Sequence, residues 1–339
     1  MTVFVGIDLA WGTRNASGIC VIAGAECMVD CHVASVEELA AELDALGPDV
    51  VVGIDAPLIV ESGRSAEAAL ALGMGRYGVY AHSSAAAVKA GYDQGVRLAR
   101  ELQVRGFSLA PEVPAREAGR FALEVYPHAG HVVMFGLPRI MPYKQKRGRT
   151  AVGMNAELGR YREHLRGFLE RHAPVLLGAP AVAELLDAGG LAGAARKRHE
   201  DQLDALTCAL LAMLAWRDGL GQSDVFGAAA TGYIAVPGLS RDPRFAVSAA
   251  TGRERFEPPL TIVHRRADSI PHGRPFHIAP ALQHGQRGIL REPHVEPRKP
   301  AQPEGRPPGA PNSLRMPAKR AETSNGIGAA RVSKRLVLN

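Results

Sequence analysis

Five acidic residues stand where carboxylates do more than solvate a surface. Asp8 closes the apolar run of VGIDLA and Asp55 closes that of VGIDAP, two near-identical segments. Glu124 ends a third apolar run, FALEVYP, and Asp201 and Asp204 lie three apart in HEDQLDAL, a spacing that puts both on one side of a helix. An acid at the end of an apolar strand is costly to bury without compensation. Three that meet repel one another, and a divalent cation relieves the repulsion. Mg²⁺ or Mn²⁺ suits such a set, because Mg²⁺ binds through one or two carboxylates and keeps waters for a substrate phosphate. Two ions about 3.5–4 Å apart would activate a water and stabilise the leaving oxygen of an in-line phosphodiester cleavage. The competing explanation is that each acid caps a helix or pairs with an arginine.

Other residues could serve such a centre. His199 lies two residues before Asp201 and five before Asp204; from a helix start it can point toward the metals and assist proton transfer, or it can be an exposed histidine of a first turn. His128, just past Glu124 and Pro127, could sit at the rim, although a lone histidine near a strand end is more often structural. Lys144, Lys146, Arg147 and Arg149 form the densest basic cluster of residues 1–240, able to bind phosphates or simply to solvate a loop. Trp11 follows Asp8 by three residues and could stack on a base or close a core. Tyr77, Tyr80 and His82 lie in a Gly/Tyr-rich stretch, GMGRYGVYAHSS, that resembles a substrate-side loop; they could contact substrate or simply pack within a flexible loop.

The elements that must position these residues are legible along the chain. TVFVGID, SGICVIA and ECMVDCHVA read as three consecutive antiparallel strands separated by Gly-bearing turns. Ser35 caps a helix with leucines at 39, 43 and 46, which Gly47-Pro48 ends. DVVVGIDAPL, an unbroken apolar run after a helical crossover, reads as a strand parallel to the first and covered on both faces. AEAALALG and AAAVKAGYDQGVRLARELQVRG are helical, RFALEVYPHA returns to strand until Pro127, and helices follow at about 155–171 and from about 198. GYIAVP at 232–237 is a short closing segment. The fold class is α/β: a five-stranded mixed sheet, its first three strands antiparallel and the others parallel to the first, flanked by helices. If Asp8 and Asp55 end parallel neighbours, both emerge at the carboxyl edge, where open α/β sheets place their sites.

Composition sets the outer bounds. The 339 residues, 46% hydrophobic and 22% charged, suffice for one large domain, and four cysteines at 20, 27, 31 and 208 show neither a disulfide framework nor the paired spacing of a zinc site. No membrane span and no signal peptide is expected, and a reducing cytoplasm is the expected setting. The net charge of +6 is unevenly spread: residues 241–339 hold 18 Lys/Arg against 8 Asp/Glu and 14 of the 24 prolines, whereas residues 1–240 hold 22 against 26. The chain therefore divides into a domain at 1–240, with a helical and loop insertion at about 61–119, and a basic, Pro-rich tail at 241–339 expected to be mostly disordered. That tail is an inert extension or a basic arm with loose affinity for nucleic acid.

Taken together, VGIDLAWG, GIDAPL, EVYPH, PRIMPYKQK and HEDQLDALTCALLA resemble the domain of unknown function 429, over about residues 3–237. The resemblance implies a ribonuclease H-like fold and a nuclease acting on nucleic acid. Within that fold group, acids on the first and fourth strands are metal ligands, which transfers to Asp8 and Asp55. The D-x-x-D of HEDQLDAL is similar to the acidic pair on the last helix of Holliday-junction resolvases, which transfers to Asp201 and Asp204, with Asp204 favoured as the direct ligand. Glu124 corresponds to a fifth-strand acid of some resolvase-like relatives. The opening VGIDLAWGTRNASG also resembles the first phosphate loop of the actin, sugar-kinase and heat-shock ATPase superfamily, an ATP phosphotransferase alternative that needs a second such domain. The remaining alternative is a non-catalytic member of the fold that binds nucleic acid or protein.

Overall fold

The computed structural model describes residues 1–245. The expectations for the tail lie, from residue 246 onward, outside the described residues.

β1 (Val3–Asp8), β2 (Ser17–Ala23) and β3 (Glu26–His32) form the expected antiparallel meander. β2 is buried throughout, whereas the edge strand β3 is half exposed. α1 (Val36–Asp44) opens with a reciprocal capping box: Ser35 Oγ accepts from the Glu38 N–H at 3.1 Å, and Glu38 Oε2 accepts from the Ser35 N–H at 2.8 Å, which contributes about 1 kcal/mol to the helix start. β4 (Val50–Asp55) then returns parallel to β1. After α2 (Ala66–Met74), α3 (Ser84–Lys89) and α4 (Gln94–Val104), β5 (Arg120–Glu124) adds parallel to β4. The sheet order is β3-β2-β1-β4-β5.

α5 (Pro127–Met134), α6 (Ala151–His172), α7 (Pro180–Asp187) and the long α8 (Gly193–Asp218) follow. β6 (Val225–Ala228) and β7 (Gly232–Ala235) follow as a second, antiparallel pair. Strand side chains alternate between two faces. Val5, Ile7, Val52 and Ile54 pack under α1 and α4 with Leu39, Leu43, Leu98 and Leu102. Phe4, Cys20, Ile22, Val51 and Leu123 face the other way, toward Leu206 and Leu210 of α8 and Leu158, Tyr161 and Leu165 of α6. Among the described residues no helix is long and apolar enough to cross a membrane.

Several boundaries differ from the sequence expectation for local reasons. The stretch read as one helix, AAAVKAGYDQGVRLARELQVRG, breaks into α3 and α4 at Gly91, whose φ of 87° is incompatible with helix continuation. Pro127 does more than end a strand, because it occupies the first turn of α5, where its missing N–H costs nothing. The last helix starts at Gly193, five residues before the expected 198. GYIAVP gains a partner, Val225–Ala228, so the closing segment is a two-stranded sheet.

Candidate active site

The two VGID segments are direct neighbours. β1 and β4 pair in parallel with Gly6 opposite Gly53, Ile7 opposite Ile54 and Asp8 opposite Asp55. Because side chains alternate, each glycine shares a face with the aspartate two residues on, and that face meets α8. A Cβ placed on Gly6 would lie 1.9 Å from the Ala205 carbonyl oxygen and 2.2 Å from the Ala209 nitrogen. One on Gly53 would lie 2.4 Å from the Cys208 oxygen, and one on Gly18 of β2 would lie 2.2 Å from the Asp201 oxygen. Three glycines thus form a seat on which the helix backbone rests directly. The small side chains of Ala205, Cys208 and Ala209 let it approach that far, and the contact carries Asp204 and Asp201 over the carboxyl ends of β1 and β4.

Asp204 is fully buried. Its Oδ1 accepts a hydrogen bond from the Tyr143 hydroxyl at 2.8 Å and stands 3.1 Å from the Tyr161 hydroxyl, which also meets Thr207 Oγ1 at 2.6 Å. Its Oδ2 lies 2.8 Å from the Lys144 ammonium. Burial opposes the charge on Asp204, but Lys144 overcomes it and holds the carboxyl below its ordinary value. Lys144 is itself desolvated, and the charges of Asp204, Asp8 and Asp55 together keep it firmly protonated. The basic residue expected to greet phosphate from a loop is therefore drawn inward, into the carboxylate cluster.

Asp8 and Asp55 show the opposite shift from Asp204. Burial raises Asp8 well above a normal aspartate, Lys144 opposes it, and Asp204, Asp55 and Asp201 raise it further. Asp55 is pushed up to about 6 by burial, against Lys144 and with Asp204 adding to the rise. Both side chains keep partial contact with solvent. The cluster is thus three acids sharing chiefly one lysine.

Among the described residues no group of three or more His, Cys, Asp or Glu is arranged to hold one metal ion. Donor type nonetheless fits a hard divalent cation at Asp8 and Asp55, because two partly solvent-exposed carboxylates on rigid neighbouring strands carry repulsion that Lys144 offsets chiefly and Lys197 to a lesser extent. Mg²⁺ asks for no more than two protein carboxylates. Asp204, the favoured direct ligand in the sequence, has Oδ1 held by Tyr143, while its buried Oδ2 has the Lys144 ammonium at 2.8 Å but no well-aligned hydrogen bond.

Glu124 does not join the cluster. β5 pairs Glu124 with Ile54 rather than with Asp55, and in parallel strands paired residues share a face, so Glu124 projects on the side opposite to Asp55. There Arg64 holds it, Nη2 to Oε1 at 2.5 Å and Nη1 to Oε2 at 3.1 Å, while the Leu58 N–H donates to Oε2 at 3.0 Å. Burial raises its pKa to about 7 against these partners. Arg64 also reaches Glu67 Oε1 at 2.9 Å and the Ile59 carbonyl at 2.6 Å, so the pair clamps the segment after β4. For this acid the arginine-pairing alternative holds.

Asp201 is buried beside the cluster and paired with Lys197, one helical turn away. His199 is buried too, but about 140° round the helix from Asp204, where its Nε2 lies 3.5 Å from Arg162 of α6. Burial and Arg162 push it down to about 4. The expectation that it faces the metals is thus corrected by helical phase. Lys146 and Arg147 are exposed on the loop between α5 and α6, and Arg149 folds that loop by donating to the Lys144 carbonyl at 2.7 Å. Trp11 is 52% exposed, with its ring edge-on to Tyr92 at 5.7 Å and to His82 at 6.3 Å. Tyr77 is buried, unlike Tyr80 in the same stretch.

Sequence reasoning missed Tyr143, Tyr161, Arg64 and His131. Tyr161 falls on an apolar helical spacing with Leu158 and Leu165, which marks a core residue but not the carboxylate its hydroxyl meets. His128 and His131 on α5 pack against Tyr143 at ring separations of 5.3 and 5.9 Å. Burial keeps both neutral, with His131 lowered to about 3.

Neither curated proteins nor solved structures provide a significant match to the chain. A family model described as "Protein of unknown function (DUF429)" matches residues 6–230, from the glycine seat of β1 through α8 to the turn before β7. The acids of β1 and β4, the basic loop and the acids of α8 all fall within that span, and the chain belongs to the DUF429 family.

Proposed function

We propose that the chain is a metal-dependent phosphodiesterase, a nuclease, built on a ribonuclease H-like arrangement of the sheet. The observation that carries this reading is the register of Asp8 with Asp55 beneath Asp204. Three carboxylates are held together at a sheet edge by glycine packing, against their own repulsion, and such a cluster of perturbed acids is the pattern of a functional site. Asp8 and Asp55 would hold Mg²⁺ or Mn²⁺; when bound, the ion supplies activation of a water and stabilisation of charge on the leaving oxygen.

The chain's own groups have definite tasks in this reading. Asp204, fixed by Tyr143 and Tyr161, orients the Lys144 ammonium. Lys144 then places a positive charge beside the phosphate and offsets the acids whenever the ion is absent. Lys146 and Arg147 meet flanking phosphates without specifying sequence. Glu124 and His199 take no part in the reaction. The four cysteines are free thiols, in keeping with a reducing cytoplasmic setting.

The test is the purified full chain against DNA, RNA, hybrid and branched substrates with Mg²⁺ or Mn²⁺, beside an ATP hydrolysis assay. Cleavage that Asp8→Asn and Asp55→Asn each abolish supports the reading, whichever nucleic acid is cut. ATP turnover without strand cleavage replaces it with the phosphotransferase alternative.

A further inference from the structure

Beyond the ends of β1 and β4, three loops bring aromatic rings together in solvent. Trp11 comes from the turn after Asp8, His82 from the loop before α3, and Tyr92 from the turn between α3 and α4. Two packing relations bind these loops to the acid cluster. The start of α4 rests on the residues that follow Asp55, since a Cβ on Gly95 would lie 2.4 Å from the Pro57 oxygen and 2.9 Å from Ala56 Cβ. The loop holding His82 is tied to the end of β5 by the Tyr126 hydroxyl, which donates to the Tyr80 carbonyl at 3.0 Å. Trp11 and Tyr92 remain 52% and 49% exposed. Large rings left this open, in mutual edge contact and on loops that follow Asp8 and pack on the residues after Asp55, offer aromatic surface to a ligand.

A second approach to the cluster is basic. Lys144 leads directly to the exposed Lys146 and Arg147, and Arg196 of α8 donates to Gln145 Oε1 at 3.1 Å, which adds its charge to that loop. No carboxylate pairs with Lys146 or Arg147 among the described residues.

We infer that these two surfaces form one path for an unpaired nucleic-acid strand, with bases stacked on Trp11, Tyr92 and His82 and phosphates drawn by Lys146, Arg147 and Arg196. The inference rests on the phosphodiesterase reading and names its substrate class. A duplex hides its base faces and gains nothing from exposed rings, whereas an unstacked strand uses rings and cations together. The stacking tolerates any base, so the expected preference is for strand state rather than sequence.

The experiment is fluorescence polarisation with the full chain in EDTA, where no strand is cut, using a labelled 12-nucleotide oligothymidylate and a duplex of the same length. Wild type should bind the single strand more tightly than the duplex. Trp11→Ala and Tyr92→Ala should each weaken single-strand binding roughly 5- to 150-fold, the range of one base–aromatic stack, and leave duplex binding unchanged. Trp11→Phe, which keeps a π-face, should recover most of the loss. Lys146→Ala should lower the salt slope by about 0.7. Any affinity contributed by the basic tail is common to both probes, so the ratio between them is the readout. Equal binding of the two probes, or single-strand binding untouched by Trp11→Ala and Tyr92→Ala, overturns the inference. If ring-dependent binding is found and no nucleic acid is cleaved with metal, the path stands and the phosphodiesterase reading falls. If cleavage is found without ring dependence, the reverse holds.

Discussion

Asp8 and Asp55 face each other across a parallel strand pair, and each stands two residues after a glycine that lets the α8 backbone settle onto the same face. The repulsive placement of the acids and the close packing of the helix are one construction. A larger residue at either glycine would lift α8 and carry Asp204 away from the strand ends.

Gly6→Ala is accordingly expected to be severe. Its Cβ would meet helix backbone at 1.9 and 2.2 Å, and neither atom can move without the helix. A loss of about 3 kcal/mol is expected, a fall in Tm of roughly 6–12 °C. Gly12→Ala, with nothing nearer than 3.9 Å, is the control and should be nearly neutral. Thermal denaturation of the two variants checks the contrast; equal Tm values would mean that the helix does not rest on the strands.

Asp55 carries a pH signature. Its folded pKa, about 6, lies above the unfolded value near 3.9. Its favourable contribution is therefore present below about pH 4 and lost as pH rises through 6, which makes the ionised acid a burden at neutral pH. Asp55→Asn should raise metal-free stability at pH 7.5 by about 1–3 kcal/mol and flatten the rise in Tm expected of wild type on acidification from pH 7 to pH 4. A variant with an unchanged pH profile would show that Asp55 titrates as a free side chain.

Divalent ions should act in the opposite direction. Binding to the folded state alone stabilises by mass action, about 2.7 kcal/mol at one hundred times Kd. Mg²⁺ or Mn²⁺ at millimolar concentration should therefore raise the Tm of wild type and leave Asp8→Asn and Asp55→Asn unmoved. Glu124→Gln should retain the full metal response. An equal loss of response in Glu124→Gln would return that acid to the site.

The Arg64–Glu124 pair predicts a different pattern, confined to stability. Arg64→Met leaves the buried Glu124 carboxyl without its partner, so that it must take up a proton or stay charged in the core, and should cost up to about 3–5 kcal/mol. Adding Glu124→Gln removes the partnerless acid and should recover a large part of that loss. A double-mutant cycle in urea measures the coupling, and simple additivity of the two losses would show that the pair is not a clamp.

Much of this was legible in the sequence because it depends on local spacing. The repeated Gly-Ile-Asp, the apolar run after a helical crossover, the Ser35–Glu38 cap and the D-x-x-D of the last helix are periodicities within a few residues of one another. They determine the strands, the parallel pairing and the acids at their ends. What lay beyond the sequence depends on register and phase between elements distant along the chain. Sliding β5 by one residue against β4 would carry Glu124 to the other face of the sheet, and no feature of FALEVYP fixes that register by itself. His199 and Asp204 differ only in helical phase, so whether the histidine meets metal or Arg162 is decided by where α6 packs. Lys144 reads as one more cation of a basic loop until Asp204, sixty residues later, draws it inward. An isolated strand or helix fixes which residues share its faces; only the packing of all of them decides what each face meets.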